Sequence, residues 1–140
     1  MQLFHLFHLV LSVFSPVLLL VSGCQPDPTT ARGTAERFLD AHYVQIDLQA
    51  AKTYCIGFAR SRIEEEIQLT IGQAIDAATR QPRVYYQLVE ETPRSESSIS
   101  FLYETHFDVD GAGRLTKNIL LTLRSQTDGW RVVNYREFDQ

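Results

Sequence analysis

Cysteine is scarce in this sequence. Only Cys24 and Cys55 occur among 140 residues, too few for a disulfide framework. No Cys-x-x-Cys or His-x-x-x-His spacing is present. Of the four histidines, only His42 and His106 lie beyond the first 23 residues. No zinc site is therefore expected, and no other cofactor is called for. Gly-x-Ser-x-Gly, Walker-type and dinucleotide fingerprints are missing too. Lys and Arg total 13 against 17 Asp and Glu, a net charge of −4, with no basic cluster. That argues against nucleic acid as a partner and against charge-driven binding to anionic lipid. Asp108-Val109-Asp110-Gly111 mimics the opening of a calcium loop, yet the loop's twelfth position would be Ile119 rather than Glu. A hairpin turn accounts for it.

Charge is also missing from residues 1–23, which contain no Asp, Glu, Lys or Arg. What stands there is an apolar run, interrupted at Pro16 and ending in Val21-Ser22-Gly23-Cys24. The small residues abutting a cysteine resemble a bacterial lipobox. The segment then reads as a lipoprotein signal peptide, cut before Cys24. Cys24 becomes the acylated first residue, anchored to the periplasmic side of a bacterial membrane. Several acyl chains at about 0.8 kcal/mol per buried methylene hold such an anchor permanently. An uncleaved membrane span needs about 20 apolar residues and leaves the small-residue ending unexplained. Gln25, rather than Asp, after the cysteine favours the outer membrane. Residues 24–29 form a linker with Pro26 and Pro28. Extended at about 3.1 Å per residue, it keeps the domain, residues 30–140, within roughly 20 Å of the bilayer.

Hydrophobic spacing divides that domain into two halves. Thr30 is a helix cap, and Ala31, Ala35, Phe38, Leu39, His42 and Ile46 recur at helical spacing. Asp47 caps a short second helix, Leu48 to Tyr54, and Gly57 breaks it. Ser61-Arg62-Ile63-Glu64 has the capping-box pattern of a third helix. Its predicted buried stripe is Ile63, Ile67, Thr70, Ile71, Ala74 and Ala78, and Pro82 stops it. Glu64-Glu65-Glu66 then falls in the first turn, where the helix dipole favours negative charge. After Pro82 the period becomes 2. Strands are expected at 84–89, 98–109, 115–124 and 130–138, joined by turns at 93–97, 110–113 and 128–129. Short turns between consecutive strands imply antiparallel pairing. The fold class is α+β: N-terminal helices on one face of a curved four-stranded antiparallel sheet.

Three segments carry a family resemblance. Thr34-Ala35-Glu36-Arg37-Phe38-Leu39-Asp40-Ala41-His42-Tyr43 and Asp47-Leu48-Gln49-Ala50-Ala51 resemble the opening helices of the nuclear-transport-factor-two-like superfamily. Asp128-Gly129-Trp130-Arg131-Val132-Val133-Asn134-Tyr135 resembles its closing strand. The likeness runs from Ala31 to Phe138. It implies a cystatin-like cone, a sheet curved round a long helix with an apolar pocket. The absence of room for extra strands between the helices is similar to a subgroup of small bacterial lipoproteins. Members of the superfamily include isomerases, dehydratases, transport adaptors and domains without known activity, so the fold alone does not deliver a function.

With Phe101 and Phe107 facing the helices, the inward set is Val84, Tyr86, Leu88, Ile99, Phe101, Tyr103, Thr105, Phe107, Ile119, Leu121, Leu123, Trp130 and Val132. It holds no carboxylate or histidine, hence no evident general base. The expected pocket involves His42, Tyr86, Tyr103, Thr105 and Asn134, takes a small apolar ligand, and has no catalytic residue. His42 is either a hydrogen-bonded core histidine or a base whose partner would be Tyr86 or Tyr103. His106, with Glu104 and Asp108, belongs to a solvated sheet face. Cys55, between Tyr54 and Ile56, is either a reactive thiol or, as its neighbours favour, a small buried hydrophobe. Tyr85, Val89, Leu102, Leu120, Val133 and Tyr135 would give the outer face an apolar patch for a homodimer. The function expected is a lipid-anchored, non-catalytic binding or accessory domain. The alternative is an isomerase- or dehydratase-type enzyme acting in the cone.

Overall fold

Thr30 opens the fold. Its hydroxyl accepts the Gly33 amide at 2.9 Å, pairing a donor that a helix start otherwise leaves bare. A computed structural model describes residues 27–74, 76 and 83–139. The apolar N-terminal segment, Cys24 and Ala78 lie outside the described residues. Helix α1 (Ala31–Leu39) runs into a π-helical turn, Asp40–Val44. Helices α2 (Leu48–Thr53) and α3 (Gly57–Leu69) follow, then strands β1 (Arg83–Ser95), β2 (Ser98–Val109), β3 (Gly113–Gln126) and β4 (Gly129–Asp139). A Cβ on Gly33 would fall 1.6 Å from the Asp27 carbonyl oxygen. Glycine there lets the incoming chain lie directly on the first turn of α1.

The sheet is an antiparallel meander in the order β1-β2-β3-β4. Its helix-facing residues Phe101, Tyr103, Ile119, Leu121, Leu123, Val132 and Tyr135 are buried against Ala35, Phe38 and Leu39 of α1 and Ala59 and Ile63 of α3. This is the expected α+β architecture, and Phe101 at 1 % exposure fixes which face of β2 points inward. Val84, Tyr86, Leu88, Ile99, Phe107 and Trp130 are only half-buried.

Two local features differ from the periodic pattern. In β4 the register slips between Thr122 and Leu123 of the partner strand, so that Val132 pairs with Leu123 and Asn134 with Thr122. Val133 is the extra residue of a β-bulge, which reverses the alternation beyond it. Tyr135 therefore points into the core, fully buried, and not into the outer patch. Asn134 falls on the outer face beside Thr122. A second slip between Leu88 and Glu90 places Glu91 opposite Phe101 and Pro93 opposite Ile99. Pro93 is thus part of β1 rather than of the turn, as an edge strand tolerates.

Helix α3 is displaced from its expected span. A pair of backbone bonds, Ile56 N to Val132 O and Val132 N to Tyr54 O, pins the chain to β4, and the helix begins immediately at Gly57. Ser61 is therefore inside it, its hydroxyl bonded to the Gly57 carbonyl, and no capping box forms. The helix stops at Leu69. The Thr70 hydroxyl bonds the Glu66 and Ile67 carbonyls, competing with the backbone ladder. Gly72, at φ +82°, carries the chain away. Ile71 and Ala74 are exposed, not members of a buried stripe.

Candidate functional site

The π-turn after α1 creates the site. Gln45 N bonds Asp40 O, one residue further back than an α-helix allows. The wider turn directs neighbours His42 and Tyr43 together toward the sheet. His42 stacks on Phe38 at 5.4 Å between ring centroids and meets Tyr43 edge-on at 4.2 Å. Tyr43 packs on Phe107 and donates its hydroxyl to Glu137 at 2.7 Å. The β4 bulge is what turns Glu137 to this side. Lys117 completes that pair at 3.5 Å.

His42 Nε2 lies 2.6 Å from Glu66 Oε2. Tyr135 donates to Glu66 Oε1, also at 2.6 Å. The two bonds join the π-turn, α3 and β4 through one carboxylate. Arg62, one turn earlier in α3, lies over the Tyr135 ring at 4.1 Å and donates to the Tyr135 carbonyl. Burial pushes the Glu66 carboxyl upward, but the bonds from His42 and Tyr135 and the charge of Arg62 outweigh it. Glu66 sits below its ordinary value as a result. Tyr135 is pushed up by burial and by its bond to that carboxylate. His42 Nδ1 is buried without a partner. This is an acid–base pair in chemical type, with a side-chain exposure of 9 % at His42 and 32 % at Glu66.

Of the expected pocket residues, Tyr86, Tyr103 and Thr105 come together, Tyr86 pairing with Thr105 across β1 and β2 and meeting the Tyr103 ring edge-on at 5.7 Å, whereas His42 and Asn134 stand apart from them. Tyr86 reaches Asp40 Oδ1 at 2.7 Å rather than His42. Burial and that carboxylate push its phenol up. Tyr103 and Thr105 are 0 % exposed, and their hydroxyls have no partner. They are enclosed, not on a rim. Asn134 is on the other side of the sheet. His106 bonds Thr116 and Glu104 on the outer face, and Cys55 is buried, its thiol pushed up to about 12 by desolvation. Among the described residues, no group of three or more His, Cys, Asp or Glu is placed to hold a metal ion.

Glu66 is the residue that reading the sequence missed. Placing the helix start at Ser61 puts Glu66 in a first turn, where the helix dipole alone accounts for its charge. Its signal is position: it follows Ile63 by three residues and precedes Ile67, so it borders the apolar stripe. Among the described residues, open space lies along α2 and α3. A groove of about 540 Å³ between α2 and α3 is lined by Gln49, Lys52, Ser61, Glu64, Glu65, Ile67 and Gln68. A second, of about 350 Å³, adjoins it and is lined by Ile46, Asp47, Leu48, Gln49, Ile67, Thr70, Ile71 and Gln73.

No protein-family model and no curated protein matches the sequence. Solved structures do. One is described as a calcium/calmodulin-dependent protein kinase type II association domain from Thiobacillus denitrificans. It is 15 % identical with a TM-score of 0.61, and the match covers 82 % of this chain and 98 % of that one. A ketosteroid isomerase-like protein from Erwinia carotovora atroseptica is 16 % identical at a TM-score of 0.55, covering 79 % and 93 %. An NTF2-like protein of unknown function from Shewanella oneidensis is 10 % identical at 0.57, covering 76 % and 93 %. At such identities the likeness speaks to architecture alone: the helices and four-stranded sheet of this chain form a nuclear-transport-factor-two-like fold.

Proposed function

We propose that the chain is a lipid-anchored protein of the bacterial envelope whose domain acts as an accessory interaction module and does no chemistry in its cone. The observation that carries this reading is the buried interior. Phe101, Tyr103, Thr105, Leu121, Leu123 and Tyr135 are at 0–1 % exposure, so the inward face of the sheet is packed beneath the helices. The acid–base pair of the helix–sheet layer is spent on itself, His42 and Glu66 binding each other, with Tyr135 on the second oxygen. Val21-Ser22-Gly23-Cys24 supports the anchor. Half-exposed Tyr85 and Val89 support self-association through the sheet. Mass spectrometry of the peptide beginning at Cys24 tests the anchor: an acyl mass supports it, and an unmodified or uncleaved terminus contradicts it.

The isomerase-type alternative keeps one observation in its favour, a His–Glu pair in the helix–sheet layer. It requires turnover that is lost in His42→Ala and retained in His106→Ala. No turnover of small carbonyl substrates by the wild type leaves the interaction reading in place.

A further inference from the structure

The two adjoining grooves share Gln49 and Ile67 and form one trough along α2 and α3. Its floor is aliphatic: Ile46, Leu48, Ile67 and Ile71. Glu64, Ile67 and Gln68 share one face of α3, which makes a wall, and Ile71 lies just past the helix end. Ile71, in the trough's lining, is 68 % exposed, an apolar surface left to water. Ile46 has φ +52°, a conformation that a β-branched residue adopts only when its surroundings enforce it. Asp47 N to Ala41 O at 2.8 Å is part of that enforcement.

Charge narrows the occupant. Glu64 and Glu65 lie on the rim against Lys52. Glu64 holds Arg60 with both side chains about half exposed, and Glu65 has no ion-pair partner among the described residues. An acidic rim does not suit an anionic bilayer.

We propose that this trough docks a cationic amphipathic helix of a partner protein. Aliphatic side chains of the partner sit on Ile46, Leu48, Ile67 and Ile71, and its Lys or Arg residues meet Glu64 and Glu65. The inference rests on reading the domain as an interaction module, and it names the partner's chemistry.

The test uses the full chain in nanodiscs of zwitterionic lipid. The probe is a fluorescent helical peptide with Leu at i, i+3, i+4 and i+7 and Lys elsewhere, followed by anisotropy. Saturable binding is expected, weakened about tenfold by Ile71→Asp. The pair Glu64→Gln and Glu65→Gln should weaken it about fivefold and flatten its salt dependence. Phe58→Asp, at the opposite end of α3, should change nothing. Absence of binding overturns the proposal. So does an equal effect of Ile71→Asp and Phe58→Asp, or equal affinity for a peptide with Glu in place of Lys. Ile71→Asp abolishing binding to anionic vesicles but not to the peptide overturns it in favour of a membrane. Peptide failure alone leaves the module reading standing. A small ligand retained in the cone removes that reading, and the peptide result then decides the groove by itself.

Discussion

Glu66→Gln is the most informative substitution in the helix–sheet layer. It keeps the size of the side chain and one carbonyl oxygen, and removes the charge and one acceptor. In the native protein two 2.6 Å bonds converge on this carboxylate, from His42 and Tyr135. A hydrogen bond to a charged group contributes about 1.5–3 kcal/mol. Glutamine retains one such bond in neutral form, and at 32 % side-chain exposure water competes for the site. The expected loss at pH 7 is therefore about 1–2 kcal/mol. It has a pH signature. Glu66 is held below its usual 4.5, so its stabilisation is complete above that value and is lost as pH falls through the lower, folded one. Once protonated, the glutamic acid resembles the amide that replaces it. Urea unfolding followed by Trp130 fluorescence should show wild type and variant separated at pH 7 and drawing together as pH falls from 4.5 toward 3, with equal m-values. A separation that is the same at both pH values, or below about 0.3 kcal/mol at pH 7, would refute the bridging role of Glu66.

Three further outcomes follow from the same packing. Phe101→Ala should cost about 3–5 kcal/mol, since the ring is 1 % exposed and leaves a cavity; a loss under 1 kcal/mol by the same assay would mean that β2 faces the other way. Cys55, at 1 % exposure with its thiol near 12, should resist iodoacetamide at pH 8 until urea unfolds the chain; rapid native labelling contradicts its placement. Ile71→Asp, the trough variant, should alter stability by no more than about 0.5 kcal/mol, because the side chain is 68 % exposed; a larger loss would place Ile71 in the core.

What the sequence made legible followed unbroken periodicity. β2 and β3 pair without a slip from Ser98–Arg124 to Val109–Gly113, and their inward residues were readable by simple alternation. Thr30 and Asp47 were readable as caps because a short polar side chain ahead of an apolar stripe has a local role. Tyr135 was not readable. A bulge at Val133 is set by how β4 pairs with β3, and its effect on facing appears two residues later. Glu66 was hidden by a similar non-local cause. The start of α3 is fixed by the Cys55–Val132 bridge, seventy-odd residues apart in sequence, while Ser61-Arg62-Ile63-Glu64 offers a plausible cap that goes unused. The π-turn at Asp40–Val44 likewise has no composition signal, yet it is what brings His42 and Tyr43 to the same side.

The claim at the centre of this account is the proposal that the domain is an interaction module that holds no small ligand in its cone. Native mass spectrometry of the full chain, purified from its own membrane, measures that directly. The account predicts acyl mass on Cys24 and no other small-molecule adduct, in whatever oligomeric state the protein occupies. A stoichiometric apolar ligand that survives transfer and is lost in Tyr103→Trp, which would enlarge a side chain now wholly enclosed, would contradict it.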